Sequence, residues 1–293
     1  MNKSLGYKMT NGIIYTALSL IGLVTLLPFL YVIIVSFTDP SEYLSKPLII
    51  IPAKWSLSSY KYILSTKMFM SSLGVSAFLA IVGSVISIMV TSALAYSLSR
   101  KRFFGKKFFL VAILMTMLFN PGMIPNFMLV EGLGLIDSIW SLILPAITSA
   151  WYVFLMKNFY QELPEELEEA AKIDGCNDIG VFFKIMFPIS LSAVAAFGLF
   201  FAVGFWNTYF NGVLYINSDE LRPMQVVLQM MLIQASTNIA DPSVAAMLQS
   251  EQMLPPETIK MAAVVVASLP IIMVYPFLQK YFVKGMLVGS VKG

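Results

Sequence analysis

Long apolar stretches alternate with short charged ones along the whole chain. The stretches without a charged residue run over 9–38, 68–99, 108–130, 138–156, 185–218 and 261–279. A helix needs roughly 20 apolar residues to cross the hydrocarbon core of a bilayer. The pattern therefore predicts six membrane spans, at about 12–37, 70–98, 108–128, 138–158, 187–212 and 259–282, within a single all-α integral membrane domain covering 1–293.

The segment 162–186, between the fourth and fifth spans, is predicted to form a helical hairpin outside the membrane. Pro164 suits a first helical turn and Gly175 is a natural stop. Asn177 or Asp178 is expected to cap a second short helix that runs towards Pro188. The pattern of the first helix is amphipathic, because one stripe holds Leu163, Leu167, Ala170, Ala171 and Asp174, and the other side holds Glu165, Glu168, Glu169 and Lys172.

Composition removes several classes of protein from consideration. The chain is 58% hydrophobic and 12% charged, with a mean hydropathy of +0.80, which excludes an ordinary soluble domain. It has no histidine and a single cysteine, Cys176, so zinc sites, disulfides and cysteine–histidine catalysis are not expected. A net charge of +3 gives no reason to expect binding to nucleic acid.

The distribution of basic residues predicts the orientation in the bilayer. Thirteen of the 19 Lys and Arg residues lie on the side of the two termini. By the positive-inside rule both termini and the hairpin 162–186 are expected in the cytoplasm. The loops 39–67 and 217–257 then face outwards, and the apolar piece 222–241 is predicted to be an amphipathic helix on the outer surface rather than a seventh span.

The hairpin contains a spaced set of residues that resembles a known motif. Glu169, Ala170 and Ala171 are followed by three residues and Gly175, then by nine residues and Ile185, and then by Pro188. This resembles the EAA signature of permeases of ATP-binding-cassette (ABC) importers, with Phe187 in place of the usual Leu. The resemblance implies the type I importer permease fold and a cytoplasmic coupling loop that docks on an ATPase, with Glu169, Ala170, Ala171, Asp174, Gly175, Ile185 and Pro188 as its coupling residues.

The resemblance narrows to one branch in other parts of the chain. The ending GMLVGSVKG is similar to that of permeases of the maltose-importer type, in which the tail reaches the ATPase, and this implies the contacts Gly289, Val291 and Lys292. The stretch RPMQVVLQMMLIQ is similar to the subgroup that handles complex oligosaccharides, including fragments that contain uronic acids. The resemblance implies one subunit of a heterodimeric permease in a bacterial inner membrane, with two ATPase copies and an extracytoplasmic solute-binding protein.

No catalytic motif is found in the chain. It lacks a GxxxxGK[ST] phosphate loop, so we expect no enzyme activity and no cofactor of its own, with ATP and magnesium bound by the partner ATPase. Charged residues are missing from the middle of the spans, which disfavours a secondary carrier. The alternatives are an ABC permease for a non-sugar solute such as an amino acid, phosphate or a metal, a non-ABC carrier, and a membrane assembly protein.

Polar and aromatic residues within the spans are the candidates for a substrate pathway. Amides hydrogen-bond to hydroxyl groups and aromatic rings cover the apolar face of a sugar, so together they suit an oligosaccharide. The same aromatic residues also suit anchors at the membrane interface. The candidates are Asn120, Trp151, Tyr152, Trp206, Asn207, Tyr209 and Asn211, and Asn207 is the strongest because an amide within a span needs a partner.

Overall fold

The computed structural model describes residues 5–46, 48–239 and 254–290, and these are almost entirely helical. Within these ranges the sole β-type pairing is an isolated bridge between Thr38 and Trp55. The chain divides into two compact units. The first contains the described residues up to Lys67 and those from Leu228 to Ser268, and the second contains Met68–Val227 and the described residues from Leu269 onwards.

In the first unit a long apolar helix leads into a clasped loop. Helix α1 (Leu5–Ser36) carries the apolar stretch Asn11–Ser36, of which nearly every residue is exposed or half-buried. Helices α2 (Pro40–Ser45) and α3 (Ser58–Ser65) follow. An apolar surface this exposed belongs against lipid or another membrane subunit.

Glu42 of α2 holds this loop together. Its carboxylate accepts hydrogen bonds from the backbone N–H of Ala53 and of Lys54, and from Lys46 Nζ at 2.6 Å. The hydrogen bond from Lys46 and then those from the backbone lower the pKa of Glu42 from 4.5 to about 2. The loop therefore has a defined conformation that depends on one ionised carboxylate.

The second unit is built around one continuous helical rod. Helices α4 (Lys67–Phe78) and α5 (Ser84–Ser99) are joined by a π-helical turn at Leu79–Gly83. Helices α9 (Ala150–Glu162) and α13 (Leu191–Trp206) pack on this rod. The buried cluster between them includes Leu79, Met156 and Tyr160.

Three of the predicted spans are each divided into two helices by a sharp bend. Where one span was predicted at 108–128, α6 (Lys106–Leu118) and α7 (Met123–Gly132) meet at 120°. Where 138–158 was predicted, α8 (Trp140–Ile143) and a 3-10 turn (Leu144–Ala146) meet α9 at 53°. The first bend arises at Gly122, which has a φ of +89° that favours glycine.

The third bent segment contains the hairpin and the predicted fifth span. It consists of α10 (Glu166–Ile173), α11 (Asp178–Val181), a π-helical turn (Phe182–Met186) and α12 (Phe187–Ile189). The part Asp178–Ile189 meets α13 at 83°. The predicted span 187–212 is not one helix, because α13 ends at Trp206 and α14 (Phe210–Tyr215) begins after a break.

The chain ends in two further long helices. A 3-10 turn (Asp219–Leu221) leads to α15 (Met224–Ile239), so the predicted helix at 222–241 is present as a helix. Helix α16 (Pro256–Ser290) is longer than the predicted span 259–282 and includes Gly289. Val291 and Lys292 lie outside the described residues.

Among the described residues, three helical stretches are long and apolar enough to cross a membrane, namely Asn11–Ser36, Lys67–Ser99 and Pro256–Val274. The three bent pairs bring the number to as many as six if each pair is one span.

Candidate functional site: a charged hairpin and a polar pocket

The hairpin 162–186 turns at a glycine, as its sequence predicts. Gly175 has a φ of +85°, and its N–H donates to the carbonyl of Lys172 at 3.0 Å while that of Cys176 donates to Ala171 at 2.9 Å. This pair of bonds is the Schellman motif that ends many helices. Asn177 Oδ1 then accepts from Gly180 N at 2.7 Å, so the prediction that Asn177 or Asp178 caps the second helix is confirmed for Asn177.

The face that α10 packs inwards differs from the amphipathic expectation. Ala171 is buried as its stripe predicts, but Leu167 of the same stripe is 37% exposed, and Ala170 and Asp174 are exposed. Glu168, from the charged side, is 6% exposed. The expectation fails because an ionised side chain is buried when counter-charges from another segment surround it.

Those counter-charges come from the end of α5. Arg100 Nε lies 3.2 Å from Glu168 Oε2, and Arg102 pairs with both Glu168 and Asp178. Lys172 completes the cluster, 3.4 Å from Glu168 and 3.3 Å from Asp178. The sequence alone does not reveal this cluster. The basic residues at 100–102 indicate only the orientation in the membrane, and their partner Glu168 lies far along the chain.

The remaining EAA residues lie on or beside the outer surface of the hairpin. Glu169, Asp174, Gly175 and Pro188 are exposed and Ile185 is half-buried. Ile173 and Ile179 are 86% and 69% exposed. Exposed apolar side chains beside carboxylates form a surface that suits a protein partner.

A second feature is a pocket of about 450 Å³ beside the break between α13 and α14. Its lining includes Tyr152 of α9 and the broken stretch from Asn207 to Asn211. Helix α13 ends at Trp206 with Asn207 as its C-cap. The break that follows forms a loop that lines a cavity, where irregular backbone is tolerated at membrane depth. Asn207 Oδ1 accepts a hydrogen bond from Gln225 Nε2 at 3.4 Å, so this amide has a partner in the chain.

The pocket brings together four of the candidate pathway residues and leaves out three. Tyr152, Asn207, Tyr209 and Asn211 line it. Trp151 is 55% exposed and Trp206 is 5% exposed, and neither is among the lining residues.

Asn120 also lies away from the pocket. It accepts a hydrogen bond from Gly122 N at 3.0 Å, so it shapes the bend between α6 and α7. The spacing of polar residues along a span therefore does not reveal which of them face one cavity.

Three hydroxyl groups of the pocket were not identified from the sequence. Thr148 and Ser149 enter at the break before α9, and Thr208 at the break after α13. Thr148 Oγ1 lies 2.9 Å from Thr91 Oγ1 of α5, which ties the pocket to the rod. Ser and Thr residues beside helix breaks were the signal in the sequence that could have identified these lining residues, because hydroxyl groups in a loop readily form hydrogen bonds with a bound molecule.

The described residues provide no metal centre, since no three His, Cys, Asp or Glu side chains among them are arranged to hold an ion. The pocket is lined by aromatic, aliphatic, amide and hydroxyl groups, and no charged side chain is among the lining residues. Such a lining suits a polar solute with hydroxyl groups and an apolar face.

Comparison with known protein families decides what the hairpin and the pocket belong to. Residues 91–288, more than half of the chain, match the family described as binding-protein-dependent transport system inner membrane component. The chain belongs to this family of importer permeases. The permease is therefore an inner membrane component of an ABC importer, as the EAA resemblance implies.

Relatives resemble the permease along nearly its whole length. It is 46% identical, over 98% of its length and 99% of the relative, to the polygalacturonan/rhamnogalacturonan transport system permease protein YtcP of Bacillus subtilis. It is 30% identical, over 93% of both chains, to the arabinooligosaccharides transport system permease protein AraQ of Halalkalibacterium halodurans.

A solved structure has the same fold. In the crystal structure of a bacterial ABC transporter involved in the import of the acidic polysaccharide alginate, one chain is 29% identical to this permease. The TM-score is 0.88, over 96% of this chain and 99% of the other. The predicted fold class, an all-α importer permease, is confirmed.

Proposed function

We propose that this permease imports oligosaccharides that contain uronic acids, as part of an ATP-driven complex. The observation that carries the oligosaccharide part of this proposal is the pocket at the break of α13, with its aromatic rings, amides and hydroxyl groups. Two similar proteins support the acidic class, since one is a permease for polygalacturonan and rhamnogalacturonan and the other belongs to an alginate importer.

The pocket accommodates sugar rings through complementary surfaces. Tyr152 stacks with Phe200 at a centroid distance of 6.0 Å, and such aromatic faces suit the apolar face of a pyranose. Asn207 and Asn211 supply amide donors, which hydrogen-bond to hydroxyl groups and to carboxylates. A neutral lining holds an anion weakly enough to release it, because it adds no opposite charge at low dielectric.

The partners follow from the chemistry of the hairpin. Its exposed residues Glu169, Asp174 and Gly175 are proposed to dock on a cytoplasmic ATPase, together with the tail residues Gly289, Val291 and Lys292. In this proposal that ATPase, in two copies, binds ATP and magnesium. A second permease completes a heterodimer, an extracytoplasmic binding protein delivers the sugar to the outer loops, and both termini lie in the cytoplasm.

The test uses the complete importer reconstituted in proteoliposomes. ATP hydrolysis is measured with the binding protein loaded with oligogalacturonate or with a neutral maltooligosaccharide. We expect oligogalacturonate to stimulate hydrolysis and to be imported, and stimulation by the neutral sugar alone would refute the acidic substrate class.

A variant pair tests the pocket itself. Asn207→Ala removes an amide from the pocket and is expected to reduce sugar import by about tenfold, since a lost hydrogen bond at a substrate site is worth about 1.4 kcal/mol or more. Asn158→Ala, which removes an exposed amide of α9 that does not line the pocket, is the matched control. Equal import by both variants would show that the sugar passes elsewhere.

A further inference from the structure

Arg100 lies at the point where the hairpin meets the rod. Arg100 directly follows the last residue of α5, and its side chain is 10% exposed and faces Glu168 of α10. The guanidinium also lies over the ring of Tyr96, with Cζ 4.8 Å from the ring centroid. Phe182 of the hairpin packs on the same ring at 5.3 Å, so the hairpin is held against α5 by an ion pair and by an aromatic contact.

The same arginine reaches the helices that carry the pocket. Arg100 Nη2 donates to the carbonyl of Tyr160, near the end of α9, at 3.4 Å. The hydroxyl of Tyr160 lies 2.6 Å from Ser92 of α5 and 3.1 Å from Ser190, directly before α13. One buried polar network therefore joins the hairpin to α5, α9 and α13, and the last two line the pocket.

We propose that Arg100 and Glu168 are positioning residues that fasten the coupling hairpin to α5, so that a displacement of the hairpin moves the pocket helices. The proposal rests on the proposed ATP-driven transport. Under this proposal two adjacent carboxylates have different roles. Exposed Glu169 faces the ATPase, and buried Glu168 faces the interior of the permease. Neither Glu168 nor Arg100 is among the residues that line the pocket.

Electrostatics makes this junction sensitive to the loss of one partner. Glu168 is surrounded by Arg100, Arg102 and Lys172. A buried ion pair is stable only when its geometry is good and its remaining polar groups are hydrogen-bonded. Removing the carboxylate charge leaves buried Arg100 without its carboxylate partner, while Arg102 and Lys172 still pair with Asp178. A buried cation without a counter-charge is strongly disfavoured, so the contact between the hairpin and the end of α5 is expected to loosen.

The first test is Glu168→Gln in the assembled importer, which keeps the size of the side chain and removes its charge. The ATPase is expected to co-purify, because the outer surface of the hairpin is unchanged. The amount of ATP hydrolysed per sugar imported is expected to rise at least about fivefold, the lower end of coupling between distant sites. Equal ratios in the variant and the unchanged complex would overturn the proposal.

A matched control is available on the same hairpin. Glu165 pairs with Lys101 at 2.9 Å, but both side chains are exposed, and exposed pairs contribute little. Glu165→Gln is therefore expected to leave the ratio of ATP to sugar unchanged. A rise as large as that of Glu168→Gln would show that any hairpin charge acts in this way, and would overturn the special role of the buried pair.

A distance measurement tests the fastening without any sugar. With Cys176→Ser the chain is free of cysteine, and spin labels are attached at Ala93→Cys on α5 and Ile173→Cys on α10, both exposed. We expect a narrow distance distribution in the purified permease and a broad one after Glu168→Gln, and a distribution that stays narrow would overturn the proposal. Failure of the proposed substrate would leave this result unaffected.

A milder variant covers the case in which Glu168→Gln does not fold. Arg102 is half exposed and joins both Glu168 and Asp178. Arg102→Gln is expected to broaden the same distance distribution partly while the buried pair of Arg100 and Glu168 remains. Broadening as large as that expected of Glu168→Gln would overturn the proposal, because the buried pair would then not be what fastens the hairpin.

Discussion

Gly83 controls how closely the rod approaches the wall of the pocket. It is the last residue of the π-helical turn between α4 and α5. A Cβ added there would lie 3.0 Å from Cε2 of Phe205 and 3.1 Å from Cδ2 and Cζ. Phe205 is 4% exposed and lines the pocket. Gly83→Ala must therefore displace this ring.

The size of the effect follows from these distances. Carbon atoms pack best at about 3.5–4.0 Å, so the ring must retreat by about 0.5 Å or more. Overpacking of this kind costs about 1–3 kcal/mol. The gain in helix propensity from Gly to Ala, up to about 1 kcal/mol, acts in the opposite direction. Gly74→Ala on α4 makes the same chemical change where nothing lies within 4 Å.

The assay compares the two alanine variants in detergent. The gain in helix propensity is the same in both variants and cancels in the difference between their unfolding free energies. The remaining difference is the cost of the contact with Phe205, about 1–3 kcal/mol. At about 2–4 °C per kcal/mol, Gly83→Ala is expected to unfold about 2–12 °C below Gly74→Ala. Stimulation of ATP hydrolysis by sugar should also weaken, because the displaced ring of Phe205 moves into the pocket.

A second substitution distinguishes this contact from a general disturbance of the turn. Phe205→Leu in the Gly83→Ala background replaces the ring by a smaller side chain, and it is expected to recover part of the lost stability relative to the sum of the single changes. Equal unfolding temperatures for Gly83→Ala and Gly74→Ala, or strict additivity with Phe205→Leu, would refute the reasoning.

The remaining predictions concern the hydrogen bonds of Glu42 and the cap of the hairpin's second helix. Because the pKa of Glu42 is lowered to about 2 from 4.5, the stability it provides is complete above about pH 4.5 and is lost as the pH falls towards 2. The protection of the Ala53 and Lys54 amides, measured as their exchange rate relative to the intrinsic rate at the same pH, should then fall, and Glu42→Gln should show the same loss of protection at neutral pH. Asn177→Ala removes the 2.7 Å bond to Gly180 and is expected to cost about 1 kcal/mol, seen as faster protease cleavage of the hairpin; unchanged cleavage would contradict the capping role.

Local sequence features predicted the turn of the hairpin correctly. Gly175 was predicted as a stop and has a positive φ, and Asn177 was among the predicted caps and accepts the expected bond. Such predictions succeed because a left-handed turn and a cap depend on a few consecutive residues. The family resemblance succeeded for the same reason, since the EAA residues are fixed in type and spacing.

The candidate site was predicted less completely. Asn207 and Tyr209 line the pocket, but Trp206, the residue directly before them, is buried away from it. Thr148 and Ser149 line the pocket and were not among the predicted residues. Where a side chain points depends on the place at which a helix breaks, and apolar runs predict where helices lie but not the bends within them.

The sequence by itself determined that the chain is a membrane protein with long apolar segments and a charged hairpin among them, because hydropathy and turn preference act over short distances along the chain. The tertiary structure alone decided which charges are buried and which polar groups meet. Glu168 looked like a solvated residue of an amphipathic helix, and it is buried because Arg100 and Arg102, more than sixty positions earlier, pack against it. Whether a charge is buried depends on two segments that meet in the folded chain, so it cannot be predicted from the sequence of one of them.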